Sequence, residues 1–393
     1  MKIAMIYGEM SAAFRMPDGF DVEGLYSRVG LTGSESSFFN LARSLAEKGH
    51  HVVALVPCKQ VYEEDSGLVV LPLSHLDGLT QSGVELDAAI AWNEPDYLRG
   101  FRPGILRACD QQLNDFGYCK PGWQDVVDVL VVPSANHGRY LVEREGAPGP
   151  KMQVIPNSVD LDLLPERRSD WTRSPDRDPH RVVYCSSPDR GLHHLLAMWP
   201  DVRARVPDAT LRIFYRIEPW IAQSVGIPHD HPIPSIAAIG RRARYVQEAL
   251  RRLQPGPSSP YGVDVVGPVP NARMMDELAQ SAVLAYPCDP VRYTEGFGVS
   301  VLDAAAAGCL PIVSTADALR SVHAETGGAL GIDGNPAATR DKWVHWIARV
   351  LAEGADKIFP DARERMRAHA RRHAREVVAA QWEQLLASKI GPR

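Results

Sequence analysis

Short apolar runs alternate with helix-patterned stretches along most of this chain, and one charged segment with three prolines interrupts the alternation. Strands buried on both faces, each followed by a covering crossover helix, are what a parallel sheet requires. Lys2–Tyr7 reads as the first strand, and a glycine-bearing loop runs from it to Gly33. Ser34 or Ser36 is placed to cap a helix whose apolar positions Phe38, Leu41, Ala42 and Leu45 fall at helical spacing. Gly49 ends that helix and His51–Val56 is the next strand, so the chain opens as a βαβ unit. Gly67–Leu73, Ala88–Trp92, Ile105–Ala108, Val126–Val132 and Gln153–Ile155 continue the pattern, which predicts a doubly wound α/β sheet.

The interruption, Pro165–His180, has no apolar period and reads as an interdomain linker. Arg181–Cys185 restarts the cycle. A helix over about Leu192–Val206, strand Thr210–Tyr215, a basic helix near Arg241–Leu253 and strand Val263–Val266 follow. Next come a helix over Ala272–Ser281, strand Val283–Tyr286 and strand Leu310–Ser314. Asp361–Ser388 reads as one long charged helix, with Met366, Val377, Val378, Trp382 and Leu385 among its apolar positions. The expected domains are 1–168 with a C-terminal helix of about 374–393, and 180–373.

A length of 393 residues suits two or three domains, and 45% hydrophobic with 23% charged residues is the balance of a soluble protein. A net charge of −5 offers nothing to a nucleic acid. No apolar run reaches the ~18 residues of a membrane span, Met1–Gly8 lacks a signal-cleavage pattern and reads as a first strand, and the scattered cysteines suggest a cytoplasmic protein. The six cysteines show no C-x-x-C spacing and read as reduced thiols.

The stretch Glu295-Gly-Phe-Gly-Val-Ser-Val-Leu-Asp303 places two acids around a Gly-x-Gly turn, ahead of an Ala-rich helix that Gly308 stops. Gly296 and Gly298 allow a ligand close to the backbone, and the helix start offers N–H groups and a positive dipole end to a diphosphate. Glu295 would face sugar hydroxyls and Asp303 a ribose. Taken alone, the same stretch also fits a plain loop leading into a buried helix.

Several segments, in order, resemble the GT-B glycosyltransferases, most closely the retaining glycosyltransferase family four, or glycosyl transferases group 1. Thr32-Gly-Ser-Glu-Ser-Ser-Phe-Phe resembles the family's N-terminal glycine loop and helix, and Val154-Ile-Pro-Asn-Ser-Val-Asp160 its stretch before the hinge. Ser186-Ser-Pro-Asp-Arg-Gly-Leu resembles its Lys/Arg-Gly turn, Val265-Val-Gly-Pro-Val269 its loop beside the nucleobase, and Glu295–Asp303 its acidic pair. The terminal helix is similar to the one that crosses back to the first domain. The resemblance implies two Rossmann-like domains facing across a cleft, and retaining transfer of a hexosyl unit from a nucleoside diphosphate sugar to a hydroxyl acceptor. The donor is the only small-molecule requirement implied, with no cofactor and no divalent metal. It further implies that Arg190 and the backbone of Phe297, Gly298 and Val299 hold the diphosphate, with Gly33 and Ser34 closing on it. Glu295 would hold the sugar, Asp303 the ribose, and the backbone at Gly267 and Val269 the base. A UDP-sugar is favoured over a GDP-sugar; the acceptor is a saccharide, a lipid-linked species or a small molecule, chosen by loops such as Glu9–Thr32.

Three positions depart from the family pattern. Asp303 stands where a Glu is usual, one methylene longer. Cys185, Ser186 and Ser187 occupy a region that often carries a second cation. Cys109 and Asp110 end the strand after which the family often has a histidine, and Asn93 and Glu94 follow strand Ala88–Trp92. Asn93 and Asp110 are therefore substrate-side candidates, with no catalytic base assigned. Asp160/Asp162, Asp176/Asp178, His193/His194 and His229/His231 have metal-like spacing but read as hinge or surface residues. Arg241–Arg244, Arg251–Arg252 and Arg363–Arg375 read as solvated helix faces, with attraction to an anionic inner membrane face or an acidic acceptor as the alternative. Trp343 and Trp346 read as core. The competing functions are a GT-B sugar-nucleotide epimerase and a non-catalytic nucleotide-sugar-binding scaffold.

Overall fold

Two compact units make up the chain: Met1–Asp160 with Arg372–Arg393, and Leu161–Arg371. The computed structural model describes residues 1–8, 30–164 and 177–391. Most of the Glu9–Thr32 loop, residues 165–176 of the expected linker, and Asp176 lie outside the described residues.

In the first unit, β1 (Lys2–Tyr7) leads to α1 (Gly33–Glu47), β2 (His51–Val56), β3 (Tyr62–Glu63), β4 (Val69–Pro72), β5 (Ala88–Trp92), β6 (Leu106–Asp110), β7 (Val129–Val132), α2 (Ala135–Glu145) and β8 (Met152–Val154). The strand order is β3-β4-β2-β1-β5-β6-β7-β8, parallel except for β3 against β4. Period-two alternation divides the core: Ile3, Met5 and Tyr7 point into one cluster with α1, while Ala4 and Ile6 point into the other with Leu98, Phe116 and Trp123. The cap of α1 is Thr32 rather than Ser34 or Ser36. Its N–H donates to Glu35 Oε2 at 2.7 Å, and Ser34 Oγ instead accepts from Trp92 Nε1 at 3.0 Å.

The second unit contains β9 (Asp178–Tyr184), α3 (Leu192–Arg205), β10 (Thr210–Ile213), α4 (Pro234–Leu253), β11 (Val263–Val265), α5 (Asn271–Ala279), β12 (Ser281–Tyr286), α6 (Val299–Ala306), β13 (Leu310–Ser314), β14 (Leu330–Ile332), α7 (Arg340–Glu353) and α8 (Ala362–Arg372). Its sheet is wholly parallel, in the order β11-β10-β9-β12-β13-β14. The strand begins inside the expected linker. Asp178 Oδ1 accepts from the N–H of His180 at 2.9 Å, and Arg177 donates to the carbonyl of Ser281 at 3.2 Å and to that of Gly308. Charge in this segment thus ties it to the sheet.

The charged C-terminal stretch is two helices, not one, since α9 (Arg375–Ile390) begins after a break at His373 and Ala374. The N–H of Val159 donates to the carbonyl of His373 at 2.9 Å, and the N–H of Arg375 to that of Val159 at 3.0 Å. Pairing with Val159 pulls two residues out of the helix where neither glycine nor proline marks a stop. Arg375 locks the turn, donating to Asp160 Oδ1 and Ser44 Oγ at 3.2 Å each and to Glu47. From α9, Val378, Ala379, Trp382 and Leu386 then join the first unit's core. No helix among the described residues is long and apolar enough to cross a membrane.

Candidate functional site

In the second sheet β9 and β12 are neighbours, while the chain leaves them in opposite directions, to β10 on one side and β13 on the other. Such a switch point opens a crevice at the carboxyl ends of its two strands. β9 delivers the turn Pro188–Arg190, and β12 delivers the segment that reaches Glu295. Gly191 has φ 113°, and a Cβ there would lie 2.0 Å from the carbonyl oxygen of Pro287, so only glycine lets the turn pass the end of β12.

Arg190 and Glu295, 105 positions apart, meet: Nη1 donates to Oε2 at 3.0 Å. Tyr286 Oη donates to the same oxygen at 2.5 Å and accepts from Ser186 Oγ at 3.2 Å. Glu295 is only 5% exposed, and its Oε1 accepts from no group among the described residues. Burial opposes the charge on Arg190, but Glu295 beside it more than restores that charge. The sequence assigns Arg190 to the diphosphate of a donor and Glu295 to its sugar; the structure makes the two side chains partners.

Three groups hold the Glu295 loop from beneath. Asp317 Oδ2 accepts from the N–H groups of Thr294 at 2.8 Å and Glu295 at 3.0 Å, and Asp317 holds a left-handed φ of 50° to do so. Burial raises the carboxyl of Asp317 above its ordinary range. The N–H of Ala318 donates to the carbonyl of Glu295 at 3.1 Å, and His323 Nε2 donates to that of Phe297 at 2.8 Å. Phe297 is therefore an anchor, with its ring buried against His323 at a 5.4 Å centroid distance. Gly298 has φ 97°, and a Cβ there would lie 2.8 Å from Leu319 Cδ2 and 3.1 Å from His323 Nε2. After it α6 begins. The N–H groups of Gly298, Val299 and Ser300 find no acceptor among the described residues, which leaves a donor cluster at the helix start.

Asp303 lies one turn into α6, partly buried; its carbonyl accepts from the N–H of Ala307 at 2.9 Å, while its carboxyl oxygens bond no group among the described residues. Burial raises its carboxyl to about 7. Cys185 is pushed well up by its own burial and then by the charge of Asp303. Gly267, with φ 86° and open space around it, and the partly exposed Val269 follow β11 at the same end of the sheet.

In the first unit, Asn93 and Asp110 also sit at carboxyl ends, after β5 and at the close of β6. Asn93 braces the loop after β6. At φ 64° its Oδ1 accepts from the N–H groups of Gln112 at 2.7 Å and Leu113 at 3.1 Å, and its carbonyl accepts from Tyr118 Oη at 2.8 Å. Asp110 is buried, accepts from Gln112 Nε2 at 2.5 Å, and is raised to about 8 by burial. Gln112 and Asn157 exchange amide bonds of 2.9 and 2.8 Å beside it. Cys109 is a sealed apolar filler, pushed well up by burial. Gly33 opens α1, and Ser34 Oγ accepts from Trp92 Nε1.

The remaining candidates resolve differently. His229 is exposed, and Asp160 pairs with Arg375. Trp343 is sealed, and Trp346 packs on Phe359 at 5.6 Å. Ligand atoms of His193, His194 and Asp289 fall within 4.8 Å of one another, a grouping that could hold a metal ion. Arg242 and Arg244 are partly buried and bonded to backbone carbonyls. Arg242 donates to the Asp189 carbonyl at 2.6 Å, and Arg244 to the carbonyls of Val225 at 2.9 Å and Ile227 at 2.8 Å. Tyr286, Asp317, His323 and Arg242 are the site residues that sequence reasoning missed. Only Tyr286, closing its strand, carried a local signal.

Residues 229–349 match the family described as glycosyl transferases group 1. Solved structures match over nearly the whole chain. AviGT4, a glycosyltransferase involved in avilamycin A biosynthesis, shares 18% identity with a TM-score of 0.64, over 98% of this chain and 97% of its own. The sucrose-phosphate synthase of Thermosynechococcus elongatus shares 16% with a TM-score of 0.64, over 98% of each chain. Anabaena HepE, solved in complex with UDP-glucose, shares 14% with a TM-score of 0.63, over 99% of this chain and 100% of its own. No curated protein matches the sequence.

Proposed function

We propose that this chain, a glycosyltransferase of GT-B fold whose residues 229–349 belong to glycosyl transferases group 1, transfers a hexosyl unit from a nucleoside diphosphate sugar to a hydroxyl acceptor with retention. The observation that carries this reading is the Arg190–Glu295 pair at the switch point, beside the uncommitted N–H groups that open α6. Arg190 still has guanidinium donors beyond Nη1 to turn on a diphosphate, and the N–H groups of Gly298 and Val299 add fixed dipoles. Glu295 Oε1 remains to accept from a sugar hydroxyl while Tyr286 and Arg190 fix the other oxygen. Asp303 takes the ribose, directly or through a bridging water, and the backbone at Gly267 and Val269 borders the base. The acceptor oxygen bonds to the anomeric carbon as the bond to the diphosphate breaks. The electron pair leaves with the nucleotide, and the hydroxyl proton goes to the departing phosphate.

Charge on the leaving group is met by Arg190 and helix-start dipoles, so the reading needs no divalent ion. A UDP-hexose is favoured over a GDP-sugar, supported by the UDP-glucose complex of HepE and by an E. coli protein solved with UDP-2-fluoro glucose. The acceptor is a saccharide, a lipid-linked species or a small molecule. The test is nucleotide release from a panel of UDP- and GDP-sugars with mixed acceptors, alongside Arg190→Ala, with the anomer of the product read by NMR. Release that depends on Arg190, with the donor's configuration kept, is expected. Sugar interconversion without nucleotide release would make the protein an epimerase, and binding without turnover a scaffold.

A further inference from the structure

Behind the Arg190 turn lies a polar knot built from residues that the sequence marks only as a histidine pair and a basic helix. Arg242, on α4, donates through Nη1 to the carbonyl of Asp189, one peptide bond before Arg190, at 2.6 Å. Its Nη2 donates to Asp289 Oδ2 at 3.3 Å, and His194 Nε2, at the start of α3, donates to the same oxygen at 2.8 Å. Asn335 Nδ2 donates to Asp289 Oδ1 at 2.9 Å. Asp289 follows β12, so one carboxylate ties α3, α4 and the loop before α7 to the strand that delivers Glu295. Arg242 is enclosed, at 13% side-chain exposure, whereas its neighbour Arg241 is exposed.

Both oxygens of Asp289 are committed, and a guanidinium already sits against one of them, so the knot is neutralised from within and leaves a metal ion little to gain. Asp289 is held below its ordinary range by the His194 hydrogen bond, despite its burial. His193 beside it is pushed down to about 3 by burial and then by the charges of His194 and Arg242, and so stays neutral.

We infer that Arg242, braced by Asp289 and His194, is a positioning residue that fixes the Pro188–Arg190 turn and so aims the Arg190 guanidinium at the donor diphosphate. The inference rests on the transferase reading for its consequence, not for its geometry. The Asp189 carbonyl is an acceptor set directly beside a phosphate-binding arginine. Bound by Arg242, it is turned away from any anion and its lone pairs are satisfied. The peptide that carries the Arg190 N–H, which donates to Ser187 at 3.0 Å, is thereby clamped from its other face. This clamp also does, by bracing one cation, part of what a second cation at Cys185–Ser187 would do by adding another.

The test compares wild type, Arg242→Gln, Arg242→Lys and the control Arg241→Gln by hydrogen exchange and by UDP titration calorimetry. The expected result is faster amide exchange at 188–192 in Arg242→Gln, with the exchange of β9 and β12 and the melting temperature close to wild type. UDP binding should weaken about tenfold or more, partly rescued in Arg242→Lys and untouched in Arg241→Gln. Unchanged exchange at 188–192, or UDP affinity equal to wild type, would overturn the inference. If wild type binds no UDP, the donor reading fails, while the exchange data still decide whether Arg242 holds the turn.

Discussion

Replacing Glu295 by Gln separates the two jobs that meet at Oε2, because the shape is kept and the charge removed. Tyr286 can still donate to the amide oxygen, so the buried loop keeps that bond, and Asp317 still holds the backbone of Thr294 and Glu295. Arg190 loses its ionic partner at 3.0 Å, and its side chain is 34% exposed. Discounted for that solvent access, the pair is worth about 1 kcal/mol, which sets the restraint that Arg190 sheds. A bare nucleoside diphosphate, which has no sugar for Glu295 to hold, should then bind as well as before or up to about fivefold tighter. Transfer should move the other way. A charge-assisted bond from a sugar hydroxyl to Oε1 is worth about 1.5–3 kcal/mol, so kcat/KM should fall by about 10- to 150-fold. Calorimetry with UDP and steady-state rates with the active donor read the two signs separately. Equal losses in both, or wild-type turnover, would refute the division of labour between Arg190 and Glu295.

Four further outcomes follow from the same geometry. Gly191→Ala should cut donor binding by at least about tenfold while the protein still folds, since a Cβ must push against Pro287 in a turn at φ 113°; unchanged affinity in a titration would remove the turn from the site. Asp303 keeps its proton up to about 7 when folded but only to near 3.8 when unfolded, so between those values the native state binds more protons and stability falls as pH rises. The melting temperature of Asp303→Asn should therefore drop less than that of wild type between pH 4 and pH 7, and equal drops would contradict the raised carboxyl. Trp382→Ala should cost about 3–5 kcal/mol in urea unfolding of the first unit, because the indole is buried there by a helix from the far end of the chain. Activity should survive EDTA, and a loss restored only by added metal would bring the His193–His194–Asp289 grouping back as a metal site.

Much of the scaffold could be read from the sequence, because strand and helix periods are local. Ala88–Trp92 and Leu310–Ser314 match their expected bounds, and Arg190, Gly298 and Glu295 stand at loop positions that short motifs predict. What stayed hidden depended on distant pairing. Nothing around His373 marks a helix break, since Val159, more than two hundred positions earlier, makes it. Asn93 reads as a strand-end residue, and its bonds from the N–H groups of Gln112 and Leu113 to Oδ1 are known only once β5 and β6 pair. Arg242 and Arg244 look like surface charge because their acceptors are backbone carbonyls, which no residue pattern displays. Asp317 was hidden for a related reason: its role is set by a left-handed backbone and by N–H groups 22 and 23 positions away.

The most direct test of the central claim is the position of the diphosphate in a structure of the protein with UDP bound. The account predicts its oxygens within hydrogen-bond distance of the Arg190 guanidinium and of the N–H groups of Gly298 and Val299, with the ribose towards Asp303. A diphosphate bound elsewhere on the chain, with Arg190 still turned only to Glu295, would contradict it.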